Sequence, residues 1–332
     1  MSDDGAPLTC IVPTYNRAGY VRDCLLALRN SGVPDLEVIV SDDGSTDDTR
    51  AVVAATDPSA RYLWQPNSGT PATARNAAFA VCRGRYVGFL DCDDQWLPGA
   101  PARAVRFLDA HPEVDCLFAE ARMGNPRAGY VSWIESSGQA PFFALPHAAP
   151  EPGFRVFERG PFFRRMVVRN PVFIGAAIVR RGAFGAAGGF DPKLCGAADW
   201  ELWLRMAHRF TWAYMAEPLA NYTRHLDNMS SDHDKMIGEF VQALRNVLVR
   251  CDLSPSDRTF VQQQLRVHLF SHAYLAYDRG DTRTAGGRFW RCLRAGDLRP
   301  RTLALAGVCA LPGPLARGAR RLKRAAAPGG RA

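Results

Sequence analysis

Val87-Gly88-Phe89-Leu90-Asp91-Cys92-Asp93-Asp94 sets three carboxylates directly after an apolar run. Such a run, bounded by polar turn residues, reads as a buried strand. Side chains alternate along extended backbone, so Asp91 and Asp93 are expected to point one way and Cys92 the other. Carboxylates this close repel one another unless a cation lies between them. Hard oxygen ligands with open positions suit Mg2+ or Mn2+ bound jointly with phosphate oxygens. The plainer alternative has Asp94 capping a helix and the other two acids solvated.

Working outward, short β-branched runs alternate with helix-like segments through the first half, the signature of an α/β fold with a mostly parallel sheet. Strands are expected at Leu8–Val12, Leu36–Val40, Arg61–Trp64, Tyr86–Leu90 and Val114–Ala119, with helices at 18–30, from Thr46, over Ala72–Cys82 and after Pro98. Residues 122–165, rich in Gly, Pro and aromatics, show no clean period and read as an irregular lobe or mobile loop. A strand is expected at Phe173–Val179, a helix at Asp199–Ala207 and a strand at Trp212–Met215. Beyond residue 230 the pattern is wholly helical, with Met236, Phe240, Leu244, Val247 and Leu248 on one face. The expected division is 1–230 for an α/β domain, 231–298 for a helical region and 299–332 for a basic, partly apolar tail.

Two further polar clusters follow strands, at the sheet edge where open α/β folds bind ligands. In Val12-Pro13-Thr14-Tyr15-Asn16-Arg17, Tyr15 offers a ring for stacking, and the hydroxyl and amide groups can bond a base or ribose; ordinary turn chemistry is the bland reading. In Ser41-Asp42-Asp43-Gly44-Ser45-Thr46-Asp47, Ser45, Thr46 or Asp47 can cap the next helix, which leaves Asp42 and Asp43 free at the strand tip.

VPTYNR, VIVSDDGSTDD, the TARN of residues 73–76 and FLDCDD, in this order and at these separations, resemble the family-two glycosyltransferases of the GT-A fold, over about Leu8 to Ser230. The resemblance implies an inverting, metal-dependent transfer from a nucleotide sugar, with UDP-linked donors expected first and thymidine and guanosine donors as alternatives. It implies that Tyr15 stacks on the base beside Pro13, Thr14 and Asn16, and that Asp42 or Asp43 reads the base edge. Arg75 would neutralise donor phosphate. Asp93 would ligate Mn2+ or Mg2+, with Asp91 supporting it near the ribose. Gly189-Phe190-Asp191 and Ala198-Asp199-Trp200-Glu201 match the acceptor-side stretch, placing Asp199 as catalytic base and Asp191, Trp200 and Glu201 beside the acceptor. Where the family usually has Glu before the base, this chain has Ala198; Glu201 is a candidate substitute, although the helical period turns it about 200° from Asp199. His225 resembles the histidine that closes the metal site in some members.

Composition permits this reading. Hydrophobic residues make up 47% and charged residues 22%, as in soluble globular chains. The nine cysteines form no Cys-x-x-Cys pair, and the first residues have acids where a leader would be basic, so a reduced, cytoplasmic setting is expected. The net charge of +8 lies entirely in Arg299–Ala332, which holds eight Arg or Lys and no acid. Apolar plus basic composition suits a segment lying on an anionic membrane at its inner face, or a solvated basic tail. Nucleic acid is not an expected partner, because the basic residues there lack interleaved aromatics. The expected acceptor is a glycan, a lipid-linked precursor or a small molecule. Two rivals remain at this level: a sugar-nucleotide nucleotidyltransferase, which calls for a Gly-rich phosphate loop that VPTYNR lacks, and a catalytically degenerate membrane-surface scaffold.

Overall fold

The structure, a computed structural model, describes residues 6–125, 129–223 and 232–311. In chain order the first elements are β1 (Leu8–Thr14), α1 (Ala18–Arg29), β2 (Glu37–Asp42), α2 (Thr49–Thr56), β3 (Arg61–Trp64), α3 (Pro71–Phe79), β4 (Tyr86–Phe89), β5 (Gln95–Trp96) and α4 (Ala100–Ala110). Next come β6 (Cys116–Asn125), β7 (Gly129–Ser132), α5 (Trp133–Ser136), β8 (His147–Ala148), β9 (Phe154–Phe157), α6 (Arg159–Val168), β10 (Ala177–Arg180), α7 (Arg181–Ala187), α8 (Ala198–Arg209) and β11 (Trp212–Thr223). Four helices follow: α9 (His233–Arg250), α10 (Pro255–Arg279), α11 (Thr282–Arg294) and α12 (Pro300–Ala310). The chain divides into two compact units, Met1–Asn228 and Met229–Ala332.

The first unit is built on one mixed sheet in the order β3-β2-β1-β4-β10-β6-β11-β9-β8, with β5 paired to β11 and β7 to β6. Strands β3, β2, β1 and β4 are mutually parallel, as is the pair β6 and β11, while β10 runs antiparallel between β4 and β6. Continuous burial explains the apolar runs: every residue of β1 and β4 is buried. Register brings the polar ends together, since Thr14 lies opposite Asp42 and Asp42 opposite Trp64. Three strand tips therefore end level with one another, and the acids of the sequence motifs crowd one sheet edge.

Local chemistry sets several boundaries. Helix α3 begins where the Thr70 hydroxyl accepts the Ala72 N–H at 3.2 Å and Pro71 occupies the first turn. The helix expected from Thr46 starts at Thr49 instead, because Asp47 holds the Thr49 N–H from outside the helix at 3.1 Å. Helix α4 opens after Gly99 at φ +74°, so Pro98 lies ahead of the helix rather than in its first turn. The strand expected from Phe173 starts only at Ala177, because Ile174–Ala176 forms a 3-10 turn.

The span expected to be irregular, 122–165, contains β7, α5, β8, β9 and α6. An aromatic cluster organises it. Phe142 meets Phe157 at 4.8 Å and Phe162 at 5.1 Å between ring centroids, and Phe162 stacks on Trp212 of β11 at 5.6 Å. Residues brought together by such tertiary packing need share no period along the chain, which is why the sequence pattern is silent here.

The second unit comprises the four C-terminal helices. The Ser254 hydroxyl accepts from Asp257 N–H at 3.1 Å with Pro255 at the first position of α10, and Gly280 at φ +92° ends that helix. Asp281 then caps α11 by accepting the Thr284 N–H at 3.0 Å.

Gly88 tests the close packing that supports the acidic turn, since a Cβ there would lie 2.8 Å from the Trp96 ring, which is buried and bonded through its N–H to Gly175 O. Gly88→Val is expected to cost about 1–3 kcal/mol or more by overpacking, read as a lower urea midpoint; an unchanged midpoint contradicts the packing.

Candidate active site

The acids after β4 do not continue the strand. The Asp94 N–H donates to Asp91 O at 2.9 Å, closing a tight turn where the sequence suggested extended backbone. The inward and outward division survives this correction. Cys92 is 5% exposed, its thiol pushed up to about 12 chiefly by burial, while the Asp91 and Asp93 side chains are 31% and 15% exposed. Asp94 caps no helix; it is buried and accepts the N–H of Thr223 at the end of β11 at 2.9 Å. Burial, followed by the charges of Asp91 and Asp93, raises the Asp94 carboxyl well above the usual range.

Two arginines compensate the exposed acids. Arg75 of α3, 4% exposed, pairs through Nη2 with Asp91 Oδ1 and lies 5.5 Å from the Phe190 ring. Arg17, at the entrance to α1, pairs through Nη1 with Asp93 Oδ2 at 2.9 Å. Arg17 carried no role in the sequence reading. Its signal was weak, a single basic residue ending VPTYNR, and only the chain reversal after β1 brings it to Asp93.

Would these residues accept a divalent cation? Asp91 and Asp93 offer hard oxygens at a partly open edge, each with one carboxylate oxygen paired to an arginine. Among the described residues no group of three or more His, Cys, Asp or Glu is arranged to hold a metal. A Mg2+ or Mn2+ ion at this edge would be held by one or two of these carboxylates together with substrate oxygens. His225 lies outside the described residues.

The Asp42-Asp43 pair is not free, contrary to expectation. Asp42 is fully buried; its Oδ1 accepts the Ser45 N–H at 2.7 Å and its Oδ2 the hydroxyl of Tyr62. Asp43, 6% exposed, accepts from Gln65 Nε2 at 2.6 Å and from the Ser68 N–H at 3.1 Å. Buried carboxylates must be hydrogen-bonded, and here they fix the loops around the strand tips. Asn16, at φ +50°, joins the first two clusters: its Oδ1 accepts the Thr46 N–H at 2.7 Å and its own N–H donates to Ser45 Oγ at 2.8 Å. Pro13 and Thr14 lie buried in β1, whereas Tyr15 is 48% exposed, leaving a ring face open at the edge.

The later stretch reaches the same place. Asn76, next to Arg75, donates to Phe190 O and accepts the Phe190 N–H, both at 2.9 Å. Gly189, at φ +71°, packs so tightly against this amide that a Cβ would lie 2.7 Å from Asn76 Oδ1. Asp199 stands at the N-terminal end of α8, partly buried, with Asn170 Nδ2 3.4 Å from its Oδ2 and the Trp200 N–H donating to its Oδ1 at 2.7 Å. Burial raises its carboxyl to about 6, opposed by the Trp200 N–H and the Arg75 charge, with Asp91 raising it further. Asp199, Arg75 and Asp91 thus share one electrostatic environment.

Trp200 and Glu201 are buried and engaged elsewhere, against the expectation that they stand beside the acceptor. Trp200, 4% exposed, donates its indole N–H to Met166 O at 2.8 Å. Glu201 is fully buried and forms a two-point ion pair with Arg205, at 2.9 Å to Nε and 2.8 Å to Nη2. Arg205 in turn donates to the carbonyl oxygens of Ala187 and Gly189, so the pair braces the 187–189 turn from behind. The i to i+4 spacing matches this bond, and the helical period turns Glu201 away from Asp199. Asp191 is 5% exposed and accepts the Lys193 N–H at 3.0 Å, a turn-forming position.

Residues 9–173 match the Glycosyl transferase family 2 model, and the chain belongs to that family. It is 28% identical over 232 residues to a chondroitin synthase of Pasteurella multocida, covering 68% of this chain and 21% of that one. The chain thus spans about a fifth of the length of that relative. S. aureus TarS 1-349 in complex with UDP-GlcNAc superposes with TM-score 0.64 at 21% identity, over 96% of this chain and 91% of TarS. The mannosyltransferase PcManGT of Pyrobaculum calidifontis, in complex with GDP-Man and Mn2+, gives TM-score 0.57 at 19% identity over 97% and 88%. The fold is that of the GT-A glycosyltransferases.

Arg205→Met would leave the Glu201 carboxylate buried without its partner. A loss of about 3–5 kcal/mol is expected, measured by urea unfolding, and Arg205→Met with Glu201→Leu should recover much of it; equal midpoints for wild type and Arg205→Met would remove the bracing role.

Proposed function

We propose that this protein transfers a sugar from a nucleoside-diphosphate sugar, UDP-linked by preference, to a glycan or lipid-linked acceptor hydroxyl, with inversion at the anomeric carbon and dependence on Mn2+ or Mg2+. The observation that carries the reading is the convergence of Asp199, its carboxyl raised to about 6, with Arg75 and Asp91 at the strand tips. A general base works best when its pKa lies near the working pH.

The base stacks on Tyr15 against the edge formed by β1, β2 and β3. Asp42 and Asp43 act chiefly by shaping that edge, as their oxygens already hold protein donors. Arg75, held by Asp91, presents fixed positive charge toward the diphosphate, and Arg17 stands beside Asp93. Asp93 and Asp91 would hold the cation, which would supply Lewis-acid stabilisation of the leaving diphosphate. Asp199 accepts the proton of the acceptor hydroxyl, whose oxygen attacks the anomeric carbon from the face opposite the leaving group. Asn170 orients the Asp199 carboxylate. The relatives support the donor and acceptor classes: the TarS neighbour holds UDP-GlcNAc, and a Campylobacter jejuni relative, 38% identical over 97 residues (28% of this chain and 31% of that one), is a glucosyltransferase whose name specifies an undecaprenol-linked substrate. A nucleotidyltransferase reading loses support because the chain belongs to a glycosyltransferase family.

Asp199→Asn should abolish transfer, measured as nucleoside diphosphate release that depends on acceptor, while donor binding persists; retained turnover excludes Asp199 as the base. Because the deprotonated form is required, kcat/KM of the wild type should fall as pH drops through about 6. Thermal shift with UDP plus Mn2+ should exceed that with GDP, by up to about 2–3 kcal/mol of stabilisation near a hundredfold excess over Kd, and Asp93→Ala should lose the Mn2+-dependent part. An equal shift with and without Mn2+ would refute the cation assignment.

A further inference from the structure

We propose that the outward faces of α11 and α12 form a surface that docks on an anionic lipid bilayer, independently of the catalytic reading above. Among the described residues no helix is long and apolar enough to cross a membrane, so the inference concerns in-plane contact. Helix α11 buries Ala285, Phe289 and Cys292. On the opposite face, at helical spacing, stand Arg283, Trp290 and Arg294, all exposed, with Arg291 beside them. Trp290 is 58% exposed, and Thr282–Arg294 contains no acidic residue. The flanking acids are engaged locally: Asp281 caps the helix and Asp297 pairs with Arg299 at 2.7 Å.

Helix α12 completes the surface. It buries Thr302, Leu305 and Ala306, and its other side presents Leu303, Ala304, Gly307 and Leu311 to solvent without a charge among them. The two helices approach at Gly286, where a Cβ would lie 3.3 Å from the Cys309 Cβ. Trp290 is one helical turn beyond Gly286, which places it on the flank where α12 packs. An uncharged apolar strip beside an indole and three arginines has the composition of an interfacial helix pair, in which apolar groups enter the acyl boundary and guanidinium groups meet headgroup phosphate. In sequence the charge continues: residues 312–332, which lie outside the described residues, hold six Arg or Lys and no acid. Charge complementarity selects an anionic bilayer, and the exposed Leu and Trp side chains favour lipid over nucleic acid.

Flotation of the full chain with vesicles of phosphatidylcholine, with and without phosphatidylglycerol, tests the inference. Binding is expected only with the anionic lipid and should weaken as salt rises from about 0.1 M to about 0.5 M. Trp290→Ala with Leu303→Glu keeps every basic residue and should lower binding roughly tenfold or more, with an unchanged melting curve and unchanged transfer to a soluble acceptor. Trp290→Ala alone serves if the Glu substitution unfolds the chain. Wild-type binding by these variants would leave only charge attraction and overturn the surface. So would equal affinity for both vesicles, no affinity for either, RNA binding that needs Trp290 while lipid is ignored, or a lipid-free oligomer that Trp290→Ala dissociates.

Discussion

Negative charge gathered at the tips of neighbouring strands is the constraint around which the first unit is organised. Parallel register makes β1, β2 and β3 end together, and the turn after β4 adds Asp91, Asp93 and Asp94 to the same edge. Such a concentration is unstable without compensation. The fold answers it in three ways: Arg17 and Arg75 neutralise Asp93 and Asp91, hydrogen-bond donors saturate Asp42 and Asp43, and burial raises the carboxyl of Asp94.

Each answer also positions something else. Arg75 cannot reach Asp91 unless α3 is in place, and α3 carries Asn76, which grips the backbone of Phe190. That grip, with Arg205 bracing the same turn from behind, sets the approach to α8 and so the location of Asp199. The proposed base is thereby linked to the proposed donor site through backbone contacts rather than through a flexible loop, the rigidity that catalysis by positioning requires. Ala198, where the family usually carries an acid, leaves Asp199 with Asn170 as a neutral neighbour and a carboxyl raised to about 6. An added acid there would raise it further.

The amino-acid sequence by itself determined the order of strands and helices in the first half, the strand-tip location of the three acidic or aromatic clusters, and the family, because strand burial, turn chemistry and motif order are local properties. It also showed Cys92 turned inward, although the backbone there is a turn. Only the tertiary structure decided which acids are available. Asp42, Asp43 and Glu201 look like Asp91 in the sequence; Tyr62, Ser68 and Arg205 bond them in buried positions, whereas Asp91, paired with Arg75, stays partly open at the edge. The aromatic lobe between β6 and β11 was invisible for the same reason: its Phe and Trp rings meet across the sheet and leave no period along the chain. Partnership between distant residues, unlike propensity, is a property of three dimensions.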